Sequence, residues 1–222
     1  MDTSLSIQTI STGLIVYIII AASLCLRAYG HAWVANRLGD HTPALEGRLT
    51  INPLPHVDLL GTVVLPLFFI FFLQPRLEHI AFFIAWAKPV PVNPANFEHP
   101  RKHYLYCLLG ETVISAIMMV FAAIVGGILV RNGSDAYTIA LGAIGINAVF
   151  IVLDLIPFPP LPGALILVQL GWMKEETFMQ LSRWGGLILL IAIQFYYVRV
   201  VLATAQWIVA TPPLLLLSLI AS

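Results

Sequence analysis

Long runs without a single Asp, Glu, Lys or Arg dominate this chain of 222 residues. They cover 3–26, 59–75, 79–87, 112–130, 136–153, 155–173, 184–198 and 200–222. An α-helix needs about 20 apolar residues to cross the hydrocarbon core of a bilayer, and several of these runs approach or exceed that length. The chain therefore reads as an all-α, polytopic membrane protein with the lipid bilayer as solvent for most of its surface. Only 10% of its residues are charged, against roughly 25% in a soluble domain, which excludes a soluble globular enzyme. Eleven basic and eleven acidic residues cancel, so no net field recruits nucleic acid. Cys25 and Cys107 each sit in an apolar run and read as buried free thiols rather than a disulfide. No phosphate loop, haem motif or dinucleotide fingerprint is present.

Residues 1–222 read as a single membrane domain of about six spans, at about 13–36, 59–73, 78–88, 104–130, 137–156 and 184–209. The 78–88 piece is short, either a brief span or half of a hairpin. Residues 157–172 begin with Pro157, Pro159, Pro160 and Pro162. They read as a proline-broken entry into a buried helix, because broken backbone survives at membrane depth only where protein or water satisfies it. Pro212 and Pro213 cannot continue a helix, which predicts a break near Ala210. Met1–Thr12 carries no basic residue, so the first run reads as a permanent span rather than a cleaved signal. If the N-terminus is outside, the inside loops hold Arg37, Arg48, Lys88, Arg101, Lys102, Lys174 and Arg183, and the outside loops only Arg76 and Arg131. That excess favours this orientation. Ala122 with Gly126, and Ala123 with Gly127, stand at helical spacing and would let two helices approach closely.

Ionisable groups within a span are costly and mark function or pairing. Arg27, His31, Glu111 and Asp154 are of this kind, and Arg27 and His31, four residues apart, share a helix face. Asp58 and Arg199 lie nearer span ends, where snorkelling explains them.

Four segments, in order along the chain, carry a resemblance. They are Arg27-Ala-Tyr-Gly-His31 with the helix that follows to Asp40; Gly47-Arg-Leu-Thr-Ile-Asn-Pro-Leu-Pro-His56-Val-Asp58; Trp86-Ala-Lys-Pro-Val-Pro-Val-Asn93-Pro; and Asp154-Leu-Ile-Pro-Phe-Pro-Pro-Leu-Pro162-Gly163. Together they resemble the compact bacterial members of the site-2 proteases, the intramembrane zinc metalloproteases, over about residues 13–200. The resemblance implies a site-2 protease-like core and a bacterial inner (cytoplasmic) membrane. It also implies an architectural role for the His56–Asp58 loop.

The family's chemistry does not follow. Its active-site helix reads H-E-x-x-H, in which two imidazoles chelate zinc and the Glu is the general base on a metal-bound water. Here the corresponding residues are Arg27, Ala28 and His31, so one ligand is a fixed cation and the base is a methyl group. The family's third ligand is the Asp of a Leu-Asp-Gly triplet, which reads Leu161-Pro162-Gly163 here. A further family motif is replaced around Glu111, and the family's Asn before Leu-Ile-Pro is Asp154. A catalytic zinc needs about three protein ligands, so zinc is expected to be absent and no residue is assigned as catalytic. Arg27, Ala28, His31, Asp154 and Pro162 form a vestigial active site. Arg27 is expected either to pair with Asp154 or Glu111 or to face a water-filled remnant of the old pocket.

The reading that follows is a catalytically inactive site-2 protease-like protein, a structural or regulatory subunit of a larger complex of integral membrane proteins. One alternative is an atypical intramembrane zinc metalloprotease with substituted ligands, in which His31 and Asp154 gain His41 or His56 as a third. A second is a transport-related role, with Arg27, Asp154 and Glu111 lining a polar path.

Overall fold

The structure, a computed structural model, describes residues 7–73 and 84–222, with side chains over 10–72 and 84–222. These residues form a bundle of helices. Helix α1 is Ile7–Arg37. Helix α2 occupies 59–73, π-wound over Leu59–Val64 and Phe69–Leu73 and α-wound over Leu65–Phe68. Then come α3 (Pro100–Arg131), α4 (Tyr137–Leu155), α5 (Pro162–Gln169), α6 (Glu175–Ala192) and α7 (Tyr196–Ala221). Among the described residues α1, α3, α4 and α7 are long and apolar enough to cross a membrane. The protein is an integral membrane helical bundle.

Helix α3 is the hub, packing on α1, α4 and α7. Its two faces show how lipid inverts the soluble pattern. Val113, Ile117, Phe121 and Ile124 are exposed, whereas the inward face carries Gly110, Ser115, Ala123, Gly126 and Gly127. Lipid is as apolar as leucine, so close contact rather than hydrophobicity selects the inward residues. A Cβ on Gly126 would strike the side chain of Ala140 on α4, and one on Gly127 would lie 2.7 Å from Ile220 Cβ on α7. The small-residue stripe thus brings two neighbours against α3 at one level. Met119, Ala123, Ile144, Ala148 and Leu217 complete that core.

A polar cap joins the end of α1 to the start of α3. Asp40 is fully buried and accepts hydrogen bonds from the Thr42 N–H (3.1 Å) and hydroxyl (2.6 Å), the Asn93 N–H (2.8 Å) and the Asn96 amide (2.7 Å). Burial alone would push its carboxyl up, but these donors outweigh burial and hold it below the usual carboxylate range. Arg48 donates to the carbonyls of Lys88 (2.6 Å) and Pro89 (2.9 Å). Asp58 caps α2 by accepting the Gly61 N–H at 2.7 Å, and the Thr62 hydroxyl donates to the Trp86 carbonyl at 2.9 Å. The irregular 84–93 segment is thereby strapped to the loop before α2 and to the start of that helix. Asp58 is a helix cap rather than a snorkelling charge.

Three sequence expectations change. The span placed over 184–209 is instead two helices, α6 and α7, separated at Ile193–Phe195. The break predicted near Ala210 does not occur, and Pro212 and Pro213 lie inside α7. Each proline removes one backbone donor, here the ones that would serve the Ile208 and Val209 carbonyls, and a membrane bundle tolerates such a loss. The expectation of six spans meets four candidate helices among the described residues, because Glu175, Glu176 and Arg183 interrupt α6 and α2 is short. Most of the 78–88 piece lies outside the described residues, and 84–88 forms no helix. In the proline-rich stretch, 156–161 is irregular and Pro162 opens α5 as its first residue, where a missing N–H costs nothing.

Candidate functional site

The crossing of α1 on α3 creates the site. Gly30 and Gly110 face each other there: a Cβ on Gly30 would lie 3.2 Å from Ile114 Cδ1 and 3.5 Å from the Gly110 carbonyl oxygen. One turn before Gly30 stands Arg27, and one residue after it His31. One residue after Gly110 stands Glu111, followed at the next turn by Ser115. The α4 helix brings Asp154 from the third side.

Arg27 is 5% exposed and Asp154 2%, so this charge pair is withdrawn from water. The guanidinium grips Asp154 as a fork, with Nη2 donating to Oδ1 at 2.6 Å and Nη1 to Oδ2 at 2.9 Å. Two parallel bonds from a planar cation to a carboxylate are the strong form of this interaction. Nη2 also donates to Glu111 Oε2 at 3.0 Å, and Nη1 to Ser115 Oγ at 2.7 Å. The Thr112 hydroxyl donates to Asp154 Oδ2 at 2.8 Å. The guanidinium carbon lies 4.9 Å from the Phe150 ring centroid, within cation–π range. His31 Nδ1 is 2.7 Å from the second oxygen of Glu111. Glu111 already accepts from Arg27 through its other oxygen, so as a carboxylate it makes Nδ1 the donor. His31 Nε2 is buried and has no partner among the described residues.

The structure therefore gathers Arg27, His31, Glu111 and Asp154 into one network. Ala28 is buried on α1 beside it. Pro162 starts α5, and Gly163 after it presses on the backbone of Asp154 and Ile156. His41 and His56 are engaged elsewhere, His41 with Asn36 Oδ1 at 2.8 Å and His56 with the Thr50 carbonyl at 2.9 Å. Burial, together with the nearby Arg48 cation, holds His56 below the usual histidine range, against the opposing hydrogen bond that His56 donates to the Thr50 carbonyl. Sequence reasoning missed Thr112, Ser115 and Phe150. Ser115 was findable, since it lies four residues from Glu111 on the same face. Phe150 gave no signal, being one apolar residue in an apolar helix.

The donor set does not suit zinc. Both carboxylates are engaged by Arg27, a guanidinium stays protonated and repels a divalent ion, and one imidazole nitrogen remains. Among the described residues no three His, Cys, Asp or Glu side chains converge as metal ligands do.

No family profile matches the chain, and no solved structure matches it. Curated relatives do. It is 28% identical over 161 residues to "Putative zinc metalloprotease YwhC" of Bacillus subtilis, covering 69% of this chain and 67% of that protein. It is 25% identical over 178 residues to "Putative zinc metalloprotease Rip2" of Mycolicibacterium smegmatis, covering 76% of this chain and 62% of that one. It is 28% identical over 142 residues to "Putative zinc metalloprotease Rip2" of Mycobacterium tuberculosis, covering 64% and 51%. The chain thus spans between half and two thirds of the length of these relatives. The chain is a membrane helical bundle similar to these putative zinc metalloproteases.

Proposed function

We propose that this chain is a catalytically inactive site-2 protease-like protein that serves as a structural or regulatory subunit within a larger complex of membrane proteins. The observation that carries the reading is the fork from Arg27 to Asp154, with Glu111 on its other side. A buried, fully paired cation fills the position that the resemblance gives to the first zinc ligand. The base position is Ala28, which can neither take nor give a proton. Such a network ties three helices together and leaves no nucleophile and no activated water. What remains is a scaffold. Its outward faces are apolar, so its natural partners are other integral membrane proteins in a bacterial inner membrane, with the N-terminus outside.

The names of the relatives favour a second reading, an intramembrane zinc metalloprotease with substituted ligands. His31 Nε2 would be its first ligand. Extraction from the chain's own membrane in mild detergent, followed by native mass spectrometry, separates the two. The subunit reading expects a metal-free chain inside a larger assembly. A chain carrying one zinc, alone or with a single-span protein, would overturn it in favour of the protease.

A further inference from the structure

One helical turn before Arg27 on α1 stands Ser23, and opposite it on α4 stands Asn147, both fully buried. The Asn147 amide nitrogen donates to Ser23 Oγ at 3.1 Å and to the Ala143 carbonyl at 2.9 Å. Its carbonyl oxygen, equally enclosed, meets no donor among the described residues. A buried amide oxygen without a donor is costly, and more so in a bundle that lipid surrounds. Turning the amide over does not help: the oxygen could then accept from Ser23, but the nitrogen would lose Ala143.

This layer is separate from the Arg27 network. Phe150 follows Asn147 by three residues and precedes Asp154 by four, and its ring lies against the guanidinium. It therefore stands on the α4 face between the two polar levels. The donors of the Arg27 network are all directed to Asp154, Glu111 and Ser115. Among the described residues the bonds of Asn147 go to Ser23 and Ala143, outside that network.

We infer that Asn147 and Ser23 seat a buried water molecule. The water donates to the Asn147 carbonyl oxygen and accepts from the Ser23 hydroxyl. Two such bonds lie at the lower end of the usual coordination of buried water, about two to four hydrogen bonds. The site is a second polar station inside the bundle, with Phe150 as its dry wall toward Arg27.

The test is water-edited solid-state NMR of the full chain in lipid bilayers. Asn147-Ala148 is the one Asn-Ala pair in the sequence, so carbonyl-labelled Asn with nitrogen-labelled Ala assigns Asn147 without mutation. The side-chain amide of Asn147 is expected to receive magnetisation from water as early as the exposed Asn52 does. In Ser23→Val the early transfer should fall several-fold while the remaining spectrum holds. An Asn147 amide that receives water magnetisation no sooner than its apolar neighbour Val149 would overturn the inference. So would unchanged early transfer in Ser23→Val.

Discussion

At the scale of the residue, Arg27 decides what the old site can be. A guanidinium at the edge of a membrane pocket would be solvated by water; this one is 5% exposed and held by two carboxylates and a hydroxyl. Removing one member of a buried pair leaves the other charge uncompensated, at a cost of about 3–5 kcal/mol. Arg27→Met should therefore unfold in detergent at markedly lower temperature than the parent. Converting Arg27→Met, Asp154→Leu and Glu111→Gln together should recover most of that loss, because an apolar replacement of a buried pair is often neutral or better. A single variant as stable as the parent would show that the pair is not a fastening. The pairing alternatives were legible in the sequence, since an intramembrane cation calls for an intramembrane anion. That Arg27 engages both anions was not legible, because it depends on where α3 crosses α1, and only the Gly30–Gly110 contact sets that.

At the scale of the element, small residues and buried loop polars set the geometry. Gly127 accepts Ile220 and the Leu217 backbone at close range, so Gly127→Val should cost about 1–3 kcal/mol as an overpacked contact. Gly186 has nothing within 4 Å of the place its Cβ would take, so Gly186→Ala should be neutral. Equal thermal stability of the two variants would contradict the packing described for α3 and α7.

The cap around Asp40 gives a pH dependence with a definite sign. Its carboxyl is depressed in the folded chain, so its contribution is complete above its unfolded value of about 3.9. That contribution is lost as pH falls through the folded value. Protection of the Asn93 N–H and the Asn96 side-chain amide against exchange, taken relative to the intrinsic rate at each pH, should fall on acidification through that range. Asp40→Asn should show low protection at every pH and lose the dependence. Protection at those amides that ignores both pH and the substitution would show that Asp40 does not hold the cap.

The helices themselves follow from apolar length, and for that reason α3 and α4 were readable to within a few residues. The break at Ile193–Phe195 was not readable, because no Pro or Gly marks it. Pro212 and Pro213 pointed to a break that a packed bundle has no need to make.

At the scale of the whole molecule, the chain is a membrane bundle whose relatives are named for zinc and whose own centre is built around a fixed positive charge. On the reading proposed above, one cation and two anions hold the scaffold shut at the level of Arg27. Metal content tests this most directly. The chain, purified with zinc in excess and then dialysed, is analysed for bound metal beside its His31→Ala variant. Neither protein is expected to hold stoichiometric zinc. One zinc per chain, lost in His31→Ala, would contradict that reading and return the site to metal chemistry.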